Sequence, residues 1–244
     1  MKAILYVGHG TRSKKGAEEA KAFLQRVINQ VDDAPIQEIS FLELTPPFID
    51  QAFKRCVERG ATEITVVPLF LLAAGHIKKD IPEALLKSQE NYPAIQVEMK
   101  DPFGVQDEIL DAVEELVLSV VEDISPEDSV LIVGRGSSDP SIHKAFAEIA
   151  DGLGRRIGTD KVSVCYLAAA SPNFEEGLET VSQRTTGKVI VIPYLLFSGL
   201  LLSEVIQNVR ARQRSGETIY CTGPLTEHRA IEKLFIKQIL KDEK

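Results

Sequence analysis

Three observations predict an α/β fold of two similar lobes, each a central parallel sheet flanked by helices. Short apolar runs alternate with amphipathic helical stretches along the 244 residues, the pattern of parallel sheets covered on both faces. Segments of the second half repeat segments of the first in the same order. An acidic, helix-breaking stretch, Glu122-Asp123-Ile124-Ser125-Pro126-Glu127-Asp128, lies between the halves. The expected lobes are residues 1–124 and 125–244.

The first lobe opens with a strand over 3–7, Ala3-Ile4-Leu5-Tyr6-Val7. Ala17, Ala20, Phe23, Leu24, Val27, Ile28 and Val31 then recur at helical spacing and predict a helix over 15–31. A strand over 36–42 stops before Pro46-Pro47, and a helix is expected over 48–59. A third strand covers 63–70, followed by a helix over 79–90, a strand over 95–99 and a helix over 104–121. The second lobe repeats this order and ends in a helix over 227–241. Tail helices of duplicated folds often exchange and pack on the other lobe.

The repeat is visible in three places. Ile4-Leu5-Tyr6-Val7-Gly8-His9-Gly10-Thr11 matches Leu131-Ile132-Val133-Gly134-Arg135-Gly136-Ser137 after a one-residue adjustment. Phe41-Leu42-Glu43-Leu44-Thr45-Pro46-Pro47 lies over Tyr166-Leu167-Ala168-Ala169-Ala170-Ser171-Pro172. Ile64-Thr65-Val66-Val67-Pro68-Leu69-Phe70 lies over Val189-Ile190-Val191-Ile192-Pro193-Tyr194-Leu195, at the same offset of 125 residues. Two such lobes are expected to enclose a cleft, with ligands beyond the carboxyl ends of the strands.

Composition narrows the function. Acidic residues outnumber basic ones, 36 to 28, and Trp is absent, which argues against a nucleic-acid surface. Cys56, Cys165 and Cys221 form no CxxC pair, so they read as small buried hydrophobes rather than a thiolate metal site or a disulfide framework. No apolar run has the length of a membrane span, and the N-terminus opens as a strand rather than a signal peptide. The expected location is the cytoplasm.

Polar residues at the strand ends carry the chemistry. His9 follows the first strand between two glycines, in Gly8-His9-Gly10-Thr11-Arg12, where the turn exposes its ring. His76 follows the third strand in Gly75-His76-Ile77-Lys78-Lys79-Asp80. Asp80, four residues on, shares a helical face with His76 and is placed either to orient its ring or to cap the helix. Glu43 follows the second strand. Two imidazoles and a carboxylate from adjacent strand ends suit a late first-row divalent metal. The second lobe carries Arg135, Ala168 and Leu201 at these places, so the three candidates vanish together and read as one unit. Arg12 and Lys78 in the first lobe, and Arg135 and Ser137 in the second, are candidate contacts for an anionic ligand. His143 and His228 have no matched partner and are expected to be structural or solvent-facing.

With these motifs the chain resembles the long, two-domain sirohydrochlorin chelatases, class II chelatases of siroheme and anaerobic cobalamin biosynthesis. The resemblance implies a bilobal fold, insertion of Fe²⁺ or Co²⁺ into sirohydrochlorin, and no organic cofactor. It implies that His9 and His76 are the catalytic histidines and Glu43 their carboxylate, all three available to the metal. Some members carry a histidine-rich tail or a cysteine cluster; the ending Leu240-Lys241-Asp242-Glu243-Lys244 has neither. The tetrapyrrole is the expected small-molecule partner of a monomer, self-association being left open. Two other readings remain: a non-enzymatic tetrapyrrole or metal carrier, and a histidine-dependent phosphatase or hydrolase, though no phosphate loop or Gly-x-Ser-x-Gly elbow is present. Neither accounts for joint loss of the triad in the second repeat.

Overall fold

A computed structural model describes residues 1–241; residues 242–244, the end of the expected second lobe and of the tail, lie outside the described residues. The first half runs β1 (Lys2–Gly8), α1 (Lys14–Ile28), β2 (Ile36–Phe41), α2 (Ile49–Glu58), β3 (Glu63–Pro68), a π-helical turn (His76–Asp80), α3 (Ile81–Glu90), β4 (Gln96–Met99) and α4 (Asp107–Leu118). The second runs β5 (Ser129–Gly134), α5 (Pro140–Ile157), β6 (Val162–Tyr166), α6 (Phe174–Arg184), β7 (Val189–Pro193), α7 (Leu200–Arg214) and β8 (Ile219–Cys221). A 3₁₀ turn (Leu225–Glu227) and α8 (Arg229–Leu240) complete it. The strands form two parallel sheets with the same topology, β2-β1-β3-β4 and β6-β5-β7-β8. The central strand β5 is buried at every residue, and β1 at every residue but Lys2, as sheets covered on both faces require.

The chain divides into two compact units, Met1–Gly104 with Glu232–Lys244, and Val105–Ile231. This differs from the expected boundary at residue 124. The cause is an exchange of helices. The apolar face of α4, including Ile109, Leu110, Val113, Leu116 and Val117, is buried within the second unit. Leu110 packs where Gly152 of α5 leaves room, and Arg156 of α5 pairs with Asp107 and Asp111 at 2.8 and 2.6 Å. In the other direction, Phe235 of α8 lies in the core of the first unit, 6.2, 5.9 and 5.6 Å from the rings of Tyr6, Phe23 and Phe103. Glu232 ties α8 to α1 through Arg26 at 2.7 Å. The acidic stretch near residue 124 is a real break between helix and strand, but it falls inside a unit.

Burial pushes the thiols of Cys56, Cys165 and Cys221 up to about 12, consistent with cysteines that serve as apolar filling. Among the described residues, no helix is long and apolar enough to cross a membrane.

Candidate metal centre

The carboxyl ends of β1, β2 and β3 deliver the first unit's polar residues to one place. Pairing between β1 and β2 continues past the strands: the Leu42 N–H donates to the Gly8 carbonyl at 2.8 Å, and the Glu43 N–H to the His9 carbonyl at 3.1 Å. Glu43 and His9 are thereby neighbours across a parallel ladder although 34 residues apart. Gly10, at φ +91°, sits so close to Glu43 that a Cβ there would overlap the Glu43 carbonyl oxygen. Only glycine meets both demands. Thr45 clamps the same corner, its hydroxyl accepting from the Thr11 N–H at 3.1 Å and donating to the Thr11 carbonyl at 2.8 Å. His76 enters from the loop after β3, at the start of the π turn.

One ligand atom each from His9, Glu43 and His76 lie within 4.8 Å of one another, the sole such group of metal-capable side chains among the described residues. His9 Nε2 is 3.1 Å from His76 Nε2 and 3.6 Å from Glu43 Oε1. The other ring nitrogens explain this contact. His9 Nδ1 is 2.9 Å from the Gly10 carbonyl, which only accepts, so Nδ1 carries the hydrogen. His76 Nδ1 is 2.7 Å from Asp80 Oδ2, and an ionised carboxylate likewise accepts. With the hydrogen of each ring on Nδ1, it is the Nε2 lone pairs that face each other. Two lone pairs at this distance call for a cation between them, a shared proton or a metal. With metal–ligand bonds of about 2.1 Å, the 3.1 and 3.6 Å spacings subtend roughly 95° and 120° at one ion, both ordinary coordination angles. The donor set of two nitrogens and an oxygen fits Fe²⁺ or Co²⁺.

Phe70 was not singled out in the sequence. Its ring lies 6.0 Å from that of His9 and 6.4 Å from that of His76, an apolar flank to the triad. At the end of a predicted strand, an aromatic residue reads as core, so nothing local marked it. Arg12 and Lys78 are exposed cations on the His9 turn and the π turn. Arg135 and Ser137 belong to the second unit, on its own glycine turn, where the Ser137 hydroxyl accepts from the Asp139 N–H at 3.1 Å. His143 meets the Tyr166 hydroxyl at 3.3 Å and His228 pairs with Glu115 at 2.7 Å, so both are held in structural contacts.

The second unit rebuilds the same corner without the ligands. Ala168 donates to the Arg135 carbonyl at 2.9 Å, and a Cβ at Gly136 would overlap the Ala168 carbonyl oxygen. Leu44 and Ala169, both left-handed at φ 63° and 53°, follow at matching positions. The duplication therefore preserves backbone geometry while only the first copy keeps the triad.

The CbiX family model matches residues 3–120 and again 129–242, once per repeat. The chain belongs to the CbiX family of sirohydrochlorin chelatases. Among CbiX relatives, the sirohydrochlorin ferrochelatase of Priestia megaterium is 42% identical over 98% of this chain and 90% of its own length. The ferrochelatase of Bacillus subtilis is 36% identical over 97% of this chain and 90% of its own. A sirohydrochlorin cobaltochelatase of Priestia megaterium is 30% identical over 90% of this chain and 72% of its own. Solved structures of the Bacillus subtilis chelatase SirB with Fe³⁺ and, from subspecies spizizenii, with cobalt superpose with TM-scores of 0.85 and 0.83 at 35% and 36% identity. Each covers 98% of this chain and 94% or 93% of the other.

Proposed function

We propose that this CbiX-family chain is a cytoplasmic chelatase that inserts Fe²⁺ or Co²⁺ into sirohydrochlorin, with His9, His76 and Glu43 as its working residues. The observation that carries the reading is the facing pair of Nε2 atoms at 3.1 Å beside the Glu43 carboxylate. The relatives' activity and SirB's occupancy by iron and cobalt support it. The ion is held first by the two imidazoles and the carboxylate, partly stripped of water. Insertion forms four bonds from the metal to the pyrrole nitrogens and releases two N–H protons. As the ion leaves, the imidazole lone pairs become available to receive those protons. Glu43, whose side chain is 47% exposed, is suited to hand them to solvent, whereas His9 is 25% exposed. Arg12 and Lys78 supply cations for substrate carboxylates.

Anaerobic absorbance spectroscopy with sirohydrochlorin and Fe²⁺ or Co²⁺ tests this against the uncatalysed rate. His9→Ala and His76→Ala are expected to lower turnover at least 100-fold with the fold intact. Tight tetrapyrrole binding without faster insertion would instead mark a carrier. Wild-type turnover in both folded variants would remove these histidines from the mechanism.

A further inference from the structure

The two repeats differ by one residue in the segment that presents His76. Pro68 and Pro193 occupy the same register place, opposite Val7 and Val133. Helical structure begins seven residues after each, at Gly75 and at Leu200. Farther along, the Gln89 amide donates to the Ile95 carbonyl at 3.2 Å and the Gln213 amide to the Ile219 carbonyl at 2.7 Å. Pro193 follows Pro68 by 125 residues, but Gln213 follows Gln89 by 124. The first repeat therefore has its extra residue inside the helix. There it alone forms a π turn, His76–Asp80, where α7 runs on as regular α-helix from Leu200. A single inserted residue is what turns one α-helical turn into a π turn.

The insertion alters a specific spacing. In α7, Glu204 follows Leu201 by three residues; in the first repeat the corresponding pair is His76 and Asp80, four apart. Glu204 is exposed, while Asp80 Oδ2 meets His76 Nδ1 at 2.7 Å. The two histidines are also held differently. His9 takes its Nδ1 acceptor from the backbone carbonyl of Gly10, and His76 takes its acceptor from a side chain.

We propose that Asp80, presented by this inserted π turn, is a positioning residue that holds His76 as its Nδ1–H tautomer with Nε2 aimed at the ion shared with His9 and Glu43. It acts through His76 and touches neither metal nor tetrapyrrole. The proposal rests on the chelatase reading for its consequence in turnover, but its effect on the ring does not. An Asn at 80 offers an amide that donates to Nδ1 as readily as its oxygen accepts, releasing the tautomer. A Glu keeps an acceptor-only group.

The experiment compares wild type, Asp80→Asn and Asp80→Glu. Long-range ¹H–¹⁵N correlation of the metal-free protein reads the ring tautomers, tractable with four histidines in the chain. Titration with Co²⁺ alone reads affinity. Wild type is expected to show His76 protonated at Nδ1. Asp80→Asn is expected to lose part of the His76 Nδ1–H population and about 10–100-fold in Co²⁺ affinity and in kcat, with tetrapyrrole binding unchanged. Asp80→Glu is expected to regain most of both. An unchanged tautomer and affinity in Asp80→Asn overturns the proposal, as does a Glu variant as impaired as the Asn. Wild type with an Asp80-dependent tautomer and Co²⁺ affinity, but no metal insertion, would overturn the chelatase reading and leave the positioning role standing.

Discussion

A methyl group at Gly10 would collide with the backbone of Glu43, and one at Gly136 with the backbone of Ala168. Both positions are left-handed, at φ +91° and +88°, so Ala is strained there as well as crowded. The two substitutions should therefore cost similar stability, about 1–3 kcal/mol each. Their functional consequences should differ. Gly10→Ala displaces Glu43 from His9 and is expected to weaken Co²⁺ binding at least tenfold, while Gly136→Ala leaves it unchanged. Titration calorimetry beside urea denaturation separates the two effects; equal losses of Co²⁺ affinity would attribute them to unfolding. The triad was legible in the sequence because each member follows a strand into a turn and all three disappear together in the repeat. The direction of each imidazole was not, since it depends on one backbone carbonyl and one carboxylate whose placement requires the folded turn. Asp80 illustrates the limit: spacing alone left it equally a cap and a partner, and the 2.7 Å contact with Nδ1 decides between them.

Among the elements, the strands and most helices follow from periodicity, and the π turn does not. One extra residue in a helix leaves no mark in composition, and the offset between repeats reveals it only once matched contacts supply a register. The start of β5 shows how a loop is tied to a sheet. Burial alone would raise the carboxyl of Asp128, but N–H donors from Ser125 and Lys188 and the Lys188 ammonium hold it below its ordinary value. Its oxygens accept from Ser125 N–H at 2.8 Å and Lys188 N–H at 2.6 Å, joining the linker to the loop before β7. A lowered folded-state pKa contributes stability above the ordinary carboxylate range, lost as pH falls through the folded value. Asp128→Ala leaves both donors without this partner and should cost about 2 kcal/mol at pH 7. The gap from wild type should narrow below about pH 4. Urea denaturation at several pH values checks both statements; a gap that does not vary with pH would assign the loss to packing.

At the scale of the whole chain, the exchange of α4 and α8 makes each unit discontinuous or displaced relative to the repeat written in the sequence. The repeat predicts two consecutive halves because alignment follows ancestry, whereas cores follow apolar faces. The Glu122–Asp128 stretch breaks the helical pattern, yet α4 before it already belongs with α5. Phe235 is the clearest consequence. It is fully buried against Tyr6, Phe23 and Phe103, so residues near the end of the chain complete the core beneath β1, the strand that leads to His9. Phe235→Ala should cost about 3–5 kcal/mol through the cavity it leaves. Because that cavity lies in the first unit, the loss should be local rather than shared. Amide hydrogen exchange is expected to accelerate in β1 and β3 and to stay near wild type in β5 and β7. Co²⁺ should protect β1 and β3 of the variant in proportion to its binding, since a ligand that binds only the folded unit stabilises it by mass action. Equal acceleration in both sheets would mean that the two units unfold as one, and protection by Co²⁺ would then extend to β5 and β7 as well.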